Sequence, residues 1–129
     1  MKLLLDTHIF LWYITGDQRL PLQMGEAIRD VNNDVYLSVV SVWEATVKYQ
    51  LGKLPLPQSP DIYLSFQRQQ HQIASLSLDE ISVGKLSTLP LLHRDPFDRM
   101  LICQALAHNL MLVTVDDTMS AYAVSILRK

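Results

Sequence analysis

The chain has 129 residues, a formal net charge of −2 at pH 7 and 49% hydrophobic content, which suits one compact domain over residues 1–129 that hides roughly two-thirds of its unfolded surface. The slightly acidic balance argues against a general nucleic-acid-coating protein, which needs a broad basic surface, but leaves room for a local nucleic-acid site. No apolar run reaches the length of about 18 residues needed to span a membrane, and the start lacks the basic segment, apolar core and small-residue cleavage site of a secretory signal, so a cytoplasmic protein with no membrane partner is expected.

KLLL (2–5) reads as a short buried strand, HIFLWYIT (8–15) as a helix by its apolar spacing, and PLQMGEAIRDVN (21–32) as a helix with Pro21 near its start. DVYLS (34–38) is rich in β-formers, and VWEATVKYQLG (42–52) reads as a helix closed by Gly52. The three prolines of GKLPLPQSP (52–60) forbid regular helix there and mark a loop within the domain. DIYLSFQRQQ (61–70) predicts a helix and QIASLS (72–77) a strand. LDEISVGKLSTL (78–89) and PFDRMLICQALAHN (96–109) predict helices, LMLVTV (110–115) a strand, TMSAYAV (118–124) a short helix and SIL (125–127) an edge strand. The lone Cys103, inside the apolar run MLICQALA, has no disulfide partner and reads as a core residue. His8, His71, His93 and His108 form no closely spaced ligand pair, which argues against a zinc site.

Strands alternating with helices predict an α/β fold with a parallel sheet covered on both faces. In such sheets ligands gather beyond the carboxyl ends of the strands. Asp6 ends the first strand and Asp116 follows LMLVTV; Glu44 lies one turn into the helix after DVYLS, and Asp98 in the first turn of the helix opened by DPFDRM. If these four acids converge, their mutual repulsion demands a counter-charge, and a divalent cation with a preference for hard oxygen ligands supplies it. Mg²⁺ or Mn²⁺ held this way suits hydrolysis of a phosphodiester. Each acid also has a structural reading. Asp6 or Thr7 caps the following helix. Glu44 completes a capping box with Ser41 or an i,i+4 pair with Lys48. Asp95, Pro96 and Asp98 form an N-cap, a first-turn proline and a dipole-facing acid. Asp116 and Asp117 start a helix.

Taken together, LLLDTHIFLW, SVVSVWEATVKYQLGKL and HRDPFDRMLICQAL followed by LVTVDD resemble the PIN-domain family of metal-dependent ribonucleases, which includes the VapC toxins of bacterial toxin–antitoxin pairs. The resemblance spans essentially the whole chain, and its specific part is the last two blocks in their order. It implies a three-layer α/β/α sandwich around a mainly parallel sheet of four to five strands. It makes Asp6, Glu44, Asp98 and Asp116 the acidic quartet, with Mg²⁺ or Mn²⁺ as cofactor and RNA as substrate. Thr114 matches the small hydroxyl residue that orients a metal-bound water; Thr7, Asp95 and Asp117 are supporting positions. A homodimer and a small antitoxin protein as partner are further implications.

For substrate contacts the residues offer Lys48, Arg94 and Arg99 as phosphate-binding cations, against plain solvated charge. Trp12, Tyr13, Trp43 and Tyr49 are candidates for stacking on bases, with core packing the favoured reading for the two tryptophans. A phosphoacceptor receiver domain fits poorly, since it wants paired early acids and a late lysine. A two-aspartate phosphatase wants Asp-x-Asp where this chain has Asp6-Thr7-His8. A catalytically silent PIN-fold binding module and a DNA-directed nuclease with the same metal site stay open as alternatives.

Overall fold

The computed structural model describes residues 1–127. Five strands form one all-parallel sheet: β1 (Lys2–Leu5), β2 (Asp34–Ser38), β3 (Ala74–Leu76), β4 (Met111–Val113) and β5 (Ile126–Leu127), in the order β3-β2-β1-β4-β5. Six α-helices connect them: α1 (Thr7–Thr15), α2 (Leu22–Arg29), α3 (Val39–Gln50), α4 (Pro60–Gln70), α5 (Glu80–Gly84) and α6 (Pro96–His108).

Alternation along the strands explains the three layers, because successive side chains point to opposite faces of a sheet. Leu3, Leu5, Val35, Leu37 and Val113 pack with Ile9 and Phe10 of α1, Met24 and Ile28 of α2, and Leu64 of α4. Leu4 and Leu112, between them in sequence, pack on the other face against Leu101, Ile102 and Ala105 of α6, with Met119 and Tyr122. Every one of these strand positions is covered by helix, so the strands read as runs of leucine and valine with no polar side. Truncating a fully buried leucine such as Leu4 or Leu112 to alanine is expected to cost about 2–5 kcal/mol.

The central strand β1 has β2 on one side and β4 on the other, so the chain leaves its carboxyl end toward one half of the sheet and later returns to the other. That divergence makes the carboxyl ends of β1 and β4 a topological switch point, where open α/β sheets form their ligand crevice. The Asp6 N–H bonds the Val113 carbonyl at 2.9 Å, which ties the two strand exits together.

Several expected elements differ. LMLVTV is paired only over Met111–Val113, because Thr114 and the residues after it turn away toward Asp6. The helix expected over TMSAYAV is a single 3-10 turn, Met119–Ala121. The Leu112 N–H already bonds the Ser125 carbonyl at 2.8 Å, so the chain must be back in line with the sheet by residue 125 and has no length for a helix. The single helix expected over LDEISVGKLSTL breaks into α5 and a 3-10 turn, Lys85–Thr88. There the hydroxyls of Ser87 and Thr88 bond the carbonyls of Gly84 and Lys85 and compete with the helical ladder. α3 begins earlier than expected, with Ser38 as its N-cap, so Ser41 lies inside the helix and the Ser41–Glu44 capping box does not form.

Candidate metal centre

Asp6 follows β1 and caps α1: its Oδ1 accepts the Thr7 N–H at 2.7 Å, and its Oδ2 accepts the Thr114 hydroxyl at 2.7 Å. The capping reading of Asp6 and its place at the strand exit thus hold together, for each oxygen keeps a lone pair directed elsewhere. Asp6 is 6% exposed, and burial pushes its carboxyl above the ordinary carboxylate value despite those two bonds. Thr114 also receives the Asp116 N–H at 3.0 Å, so one hydroxyl links the acids that follow β1 and β4.

Glu44 is 3% exposed on α3. Its Oε1 lies 2.7 Å from Thr7 Oγ1, which is also 2.9 Å from Ser41 Oγ, and its Oε2 pairs with Lys48 Nζ at 2.6 Å. The expected i,i+4 ion pair is therefore formed, and it ties Lys48 to the acid rather than leaving it free for phosphate. Burial works against the Lys48 charge, but the hydrogen bond and charge of Glu44 and the charges of Asp95 and Asp98 outweigh it and hold its pKa up.

Asp95 is the N-cap of α6, with its Oδ1 accepting the N–H groups of Phe97 at 2.9 Å and Asp98 at 3.2 Å. This leaves Asp98, in the first turn, facing the other acids. Its carboxyl is pushed up to about 7, first by burial, then by the charges of Asp6 and Asp95 and more weakly by Glu44, against the pull of a hydrogen bond from His93. The Nε2 of His93 lies 2.8 Å from Asp98 Oδ2 and 3.6 Å from Asp116 Oδ2. These three residues bring one donor atom each to within 4.8 Å of one another.

Asp6 and Glu44 thus act on Asp98 through their charges, and Asp116 meets Asp98 beside His93. Asp117 is exposed beyond it, and its carbonyl receives the Ser120 hydroxyl. Arg94 is exposed and, among the described residues, makes no side-chain hydrogen bond or ion pair. Arg99 is engaged: its Nη1 donates to the Pro90 carbonyl at 2.9 Å and to the Tyr122 hydroxyl at 3.2 Å. Trp43, expected in the core, is 58% exposed, with only its edge against Phe97 at 4.9 Å between centroids. Trp12 does pack on the core at its inner side, with the Arg19 guanidinium 5.1 Å from its ring. His93, Ser41 and Tyr122 were not among the expected site residues. For His93 a signal existed, since it opens the same HRDPFDR block; for Tyr122, about thirty residues away in sequence, none did.

The donor set fits a hard dication. Asp98 and Asp116 offer carboxylate oxygens close to one another and to His93, while Asp6 and Glu44 reach Asp98 through their charges.

Comparison with known proteins places this geometry. A family model described as PIN domain matches residues 3–125. Ribonuclease VapC16 of Mycobacterium tuberculosis (strain ATCC 25618 / H37Rv) is 36% identical over 52 residues, 40% of this chain and 37% of that protein, so the aligned stretch spans little more than a third of the curated relative's length. Among solved structures, a chain of VapBC2 from Rickettsia felis bound to a DNA fragment from its promoter superposes with a TM-score of 0.72 at 18% identity, covering 98% of each chain. A chain of VapBC-1 from nontypeable Haemophilus influenzae gives 0.65 at 18% identity, covering 98% of this chain and 97% of the other. A chain of FitAcB from Neisseria gonorrhoeae gives 0.60 at 20% identity, covering 98% and 96%. At these identities the structural matches speak to the fold. The family match covers nearly the whole chain, and with the parallel sheet and its cleft it leads to one conclusion: this chain belongs to the PIN-domain family.

Proposed function

We propose that this protein is an endoribonuclease that hydrolyses RNA phosphodiester bonds with Mg²⁺ or Mn²⁺, and that it serves as the toxin of a toxin–antitoxin pair. The observation that carries the chemistry is the meeting of donor atoms from His93, Asp98 and Asp116 within 4.8 Å of one another, with the charges of Asp6, Asp95 and Glu44 also acting on Asp98. Asp6, Asp98 and Asp116 would hold the ion, with Glu44 contributing from behind Thr7. When bound, the ion supplies a water activated as nucleophile and stabilises the leaving oxygen. The residues of the chain do the rest. Thr114 fixes the Asp6 carboxylate and the Asp116 backbone in one register, Thr7 holds Glu44 toward the cleft, and Lys48 limits repulsion at the α3 side.

RNA as substrate and a toxin role are supported by the family and by the name of the related Ribonuclease VapC16. A small antitoxin protein as partner is supported by the VapBC and FitAcB likenesses, and a homodimer by the family resemblance. No helix among the described residues is long and apolar enough to cross a membrane, and the proposed site of action is the cytoplasm. Arg94 is the cation best placed to meet RNA phosphate, being exposed beside the site and without an internal partner among the described residues.

The test is incubation with tRNA, ribosomal-loop RNA and DNA, with and without Mn²⁺, followed by mapping of the product ends. The expected result is metal-dependent RNA cleavage leaving 5′-phosphate and 3′-hydroxyl ends. Cleavage that persists in chelator would defeat the metal reading, DNA-only cleavage the substrate reading, and no cleavage of any substrate would favour a silent binding module.

A further inference from the structure

Residues 89–95 carry no regular structure, yet they deliver His93 to the acids. Leu89 packs on the core at the start of this segment, but Leu91 and Leu92 are exposed, so apolar burial does not hold the stretch next to His93. Its anchor is a phenol: the backbone N–H groups of Leu92 and His93 both donate to the Tyr122 hydroxyl oxygen, at 3.0 Å and 2.8 Å. Arg99 braces the same point, its Nη1 reaching the Pro90 carbonyl at 2.9 Å and the Tyr122 oxygen at 3.2 Å. The ring of Tyr122 is buried in the core on the α6 face of the sheet, so its hydroxyl projects from a rigid base.

We propose that Tyr122 is a positioning residue for the metal centre, its hydroxyl holding the 90–93 backbone so that His93 orients the Asp98 carboxylate. The relay has three links. Two backbone N–H groups, with Arg99 Nη1 as a longer third donor, converge on the phenol oxygen and fix the backbone around His93. The imidazole then stands with Nε2 2.8 Å from Asp98 Oδ2. When Asp98 is ionised, as an ion would require, its carboxylate only accepts, so that nitrogen then donates and holds one oxygen of Asp98 while leaving the other for an ion. Outer partners of this kind typically change metal affinity about 10–100-fold when removed. The role in ion binding rests on the metal-nuclease reading above; the placement of His93 does not.

The test variant is Tyr122→Phe, which keeps the buried ring and removes only the oxygen. In chelator-treated protein, long-range proton–nitrogen NMR is expected to show the His93 ring moving from a hydrogen-bonded signature to that of a freely solvated imidazole. In the same variant the Mn²⁺ dissociation constant, read by EPR, is expected to rise about tenfold, and adding Tyr122→Phe to His93→Ala is expected to weaken binding no further than His93→Ala alone. Arg99→Met, which leaves the phenol in place, should move the ring signals in the same direction by less, and it decides the matter if Tyr122→Phe does not fold. Unchanged His93 signals in the variants overturn the proposal, as do fully additive losses in the double variant. A wild-type protein that binds no Mn²⁺, but whose His93 signals still move in Tyr122→Phe, keeps the positioning role and removes the nuclease reading instead.

Discussion

On the β1 side of the cleft, Asp6 and Glu44 each meet two donors: Thr7 N–H and the Thr114 hydroxyl for one, the Thr7 hydroxyl and Lys48 for the other. On the α6 side, Asp98 accepts one side-chain bond from His93, while Asp116 accepts the Thr118 N–H and stands 3.6 Å from that same histidine. The first side is buried, satisfied and pinned to secondary structure at both ends. The second hangs partly on an irregular segment and keeps a carboxyl raised to about 7. Preorganised hydrogen bonds fix where the acids on the first side are, and under the proposed function the residual repulsion on the other side is what a dication would relieve.

The largest expected effect comes from removing charge on either side. Asp6→Asn or Asp98→Asn is expected to lower cleavage by at least about 10²-fold in a single-turnover assay, as for a group acting directly with the ion. The two sides should separate in stability. Both substitutions relieve the repulsion between Asp6 and Asp98, but Asp6→Asn also disturbs a satisfied pair of bonds, so only Asp98→Asn should stabilise the metal-free protein at pH 8.

Next in size is Thr7→Val. It keeps the shape of the side chain but leaves Glu44 Oε1 and Ser41 Oγ without the hydroxyl between them, and a buried acceptor left unpaired costs about 1–3 kcal/mol. Urea unfolding monitored by circular dichroism measures it.

A pH series reads the contrast a third way. The folded-state value of Asp98, about 7, lies above its ordinary 3.8, so the folded protein binds more protons than the unfolded chain between those values. Stability of the metal-free protein is then full below about pH 4 and declines as pH rises through about 7. Thermal melting in chelator should show this decline, and saturating Mg²⁺ or the Asp98→Asn substitution should make it shallower, the raised carboxyl of buried Asp6 leaving a remainder in the variant.

The smallest effect is expected at the exposed rim. Arg94→Ala should leave the melting temperature unchanged and weaken RNA binding only a few-fold, with a shallower dependence on salt.

How far these features were legible from the sequence depended on whether a local signal encoded them. The N-cap, first-turn proline and acid of DPFD are a local grammar, and α6 begins as they dictate. The strands around Asp6 were equally readable, because continuous leucine runs fit only a buried parallel sheet. Trp43 misled, since an apolar helix gives no hint that this ring stays largely exposed in a T-shaped contact with Phe97. TMSAYAV misled for another reason: its intrinsic helix preference lost to the need to rejoin the sheet at Ser125. The meeting of His93 with Tyr122 was out of reach because it joins segments about thirty residues apart, a tertiary relation with no periodic trace.

The most direct test of the shared ion is an EPR titration of Mn²⁺ into the chelator-stripped protein at pH 7.5, for the wild type, Asp6→Asn and Asp98→Asn. Saturable binding by the wild type, weakened at least about tenfold by each substitution, is the predicted result, because the two acids lie on opposite sides of one site. Binding by either variant as tight as the wild type would mean that these acids do not hold a common ion.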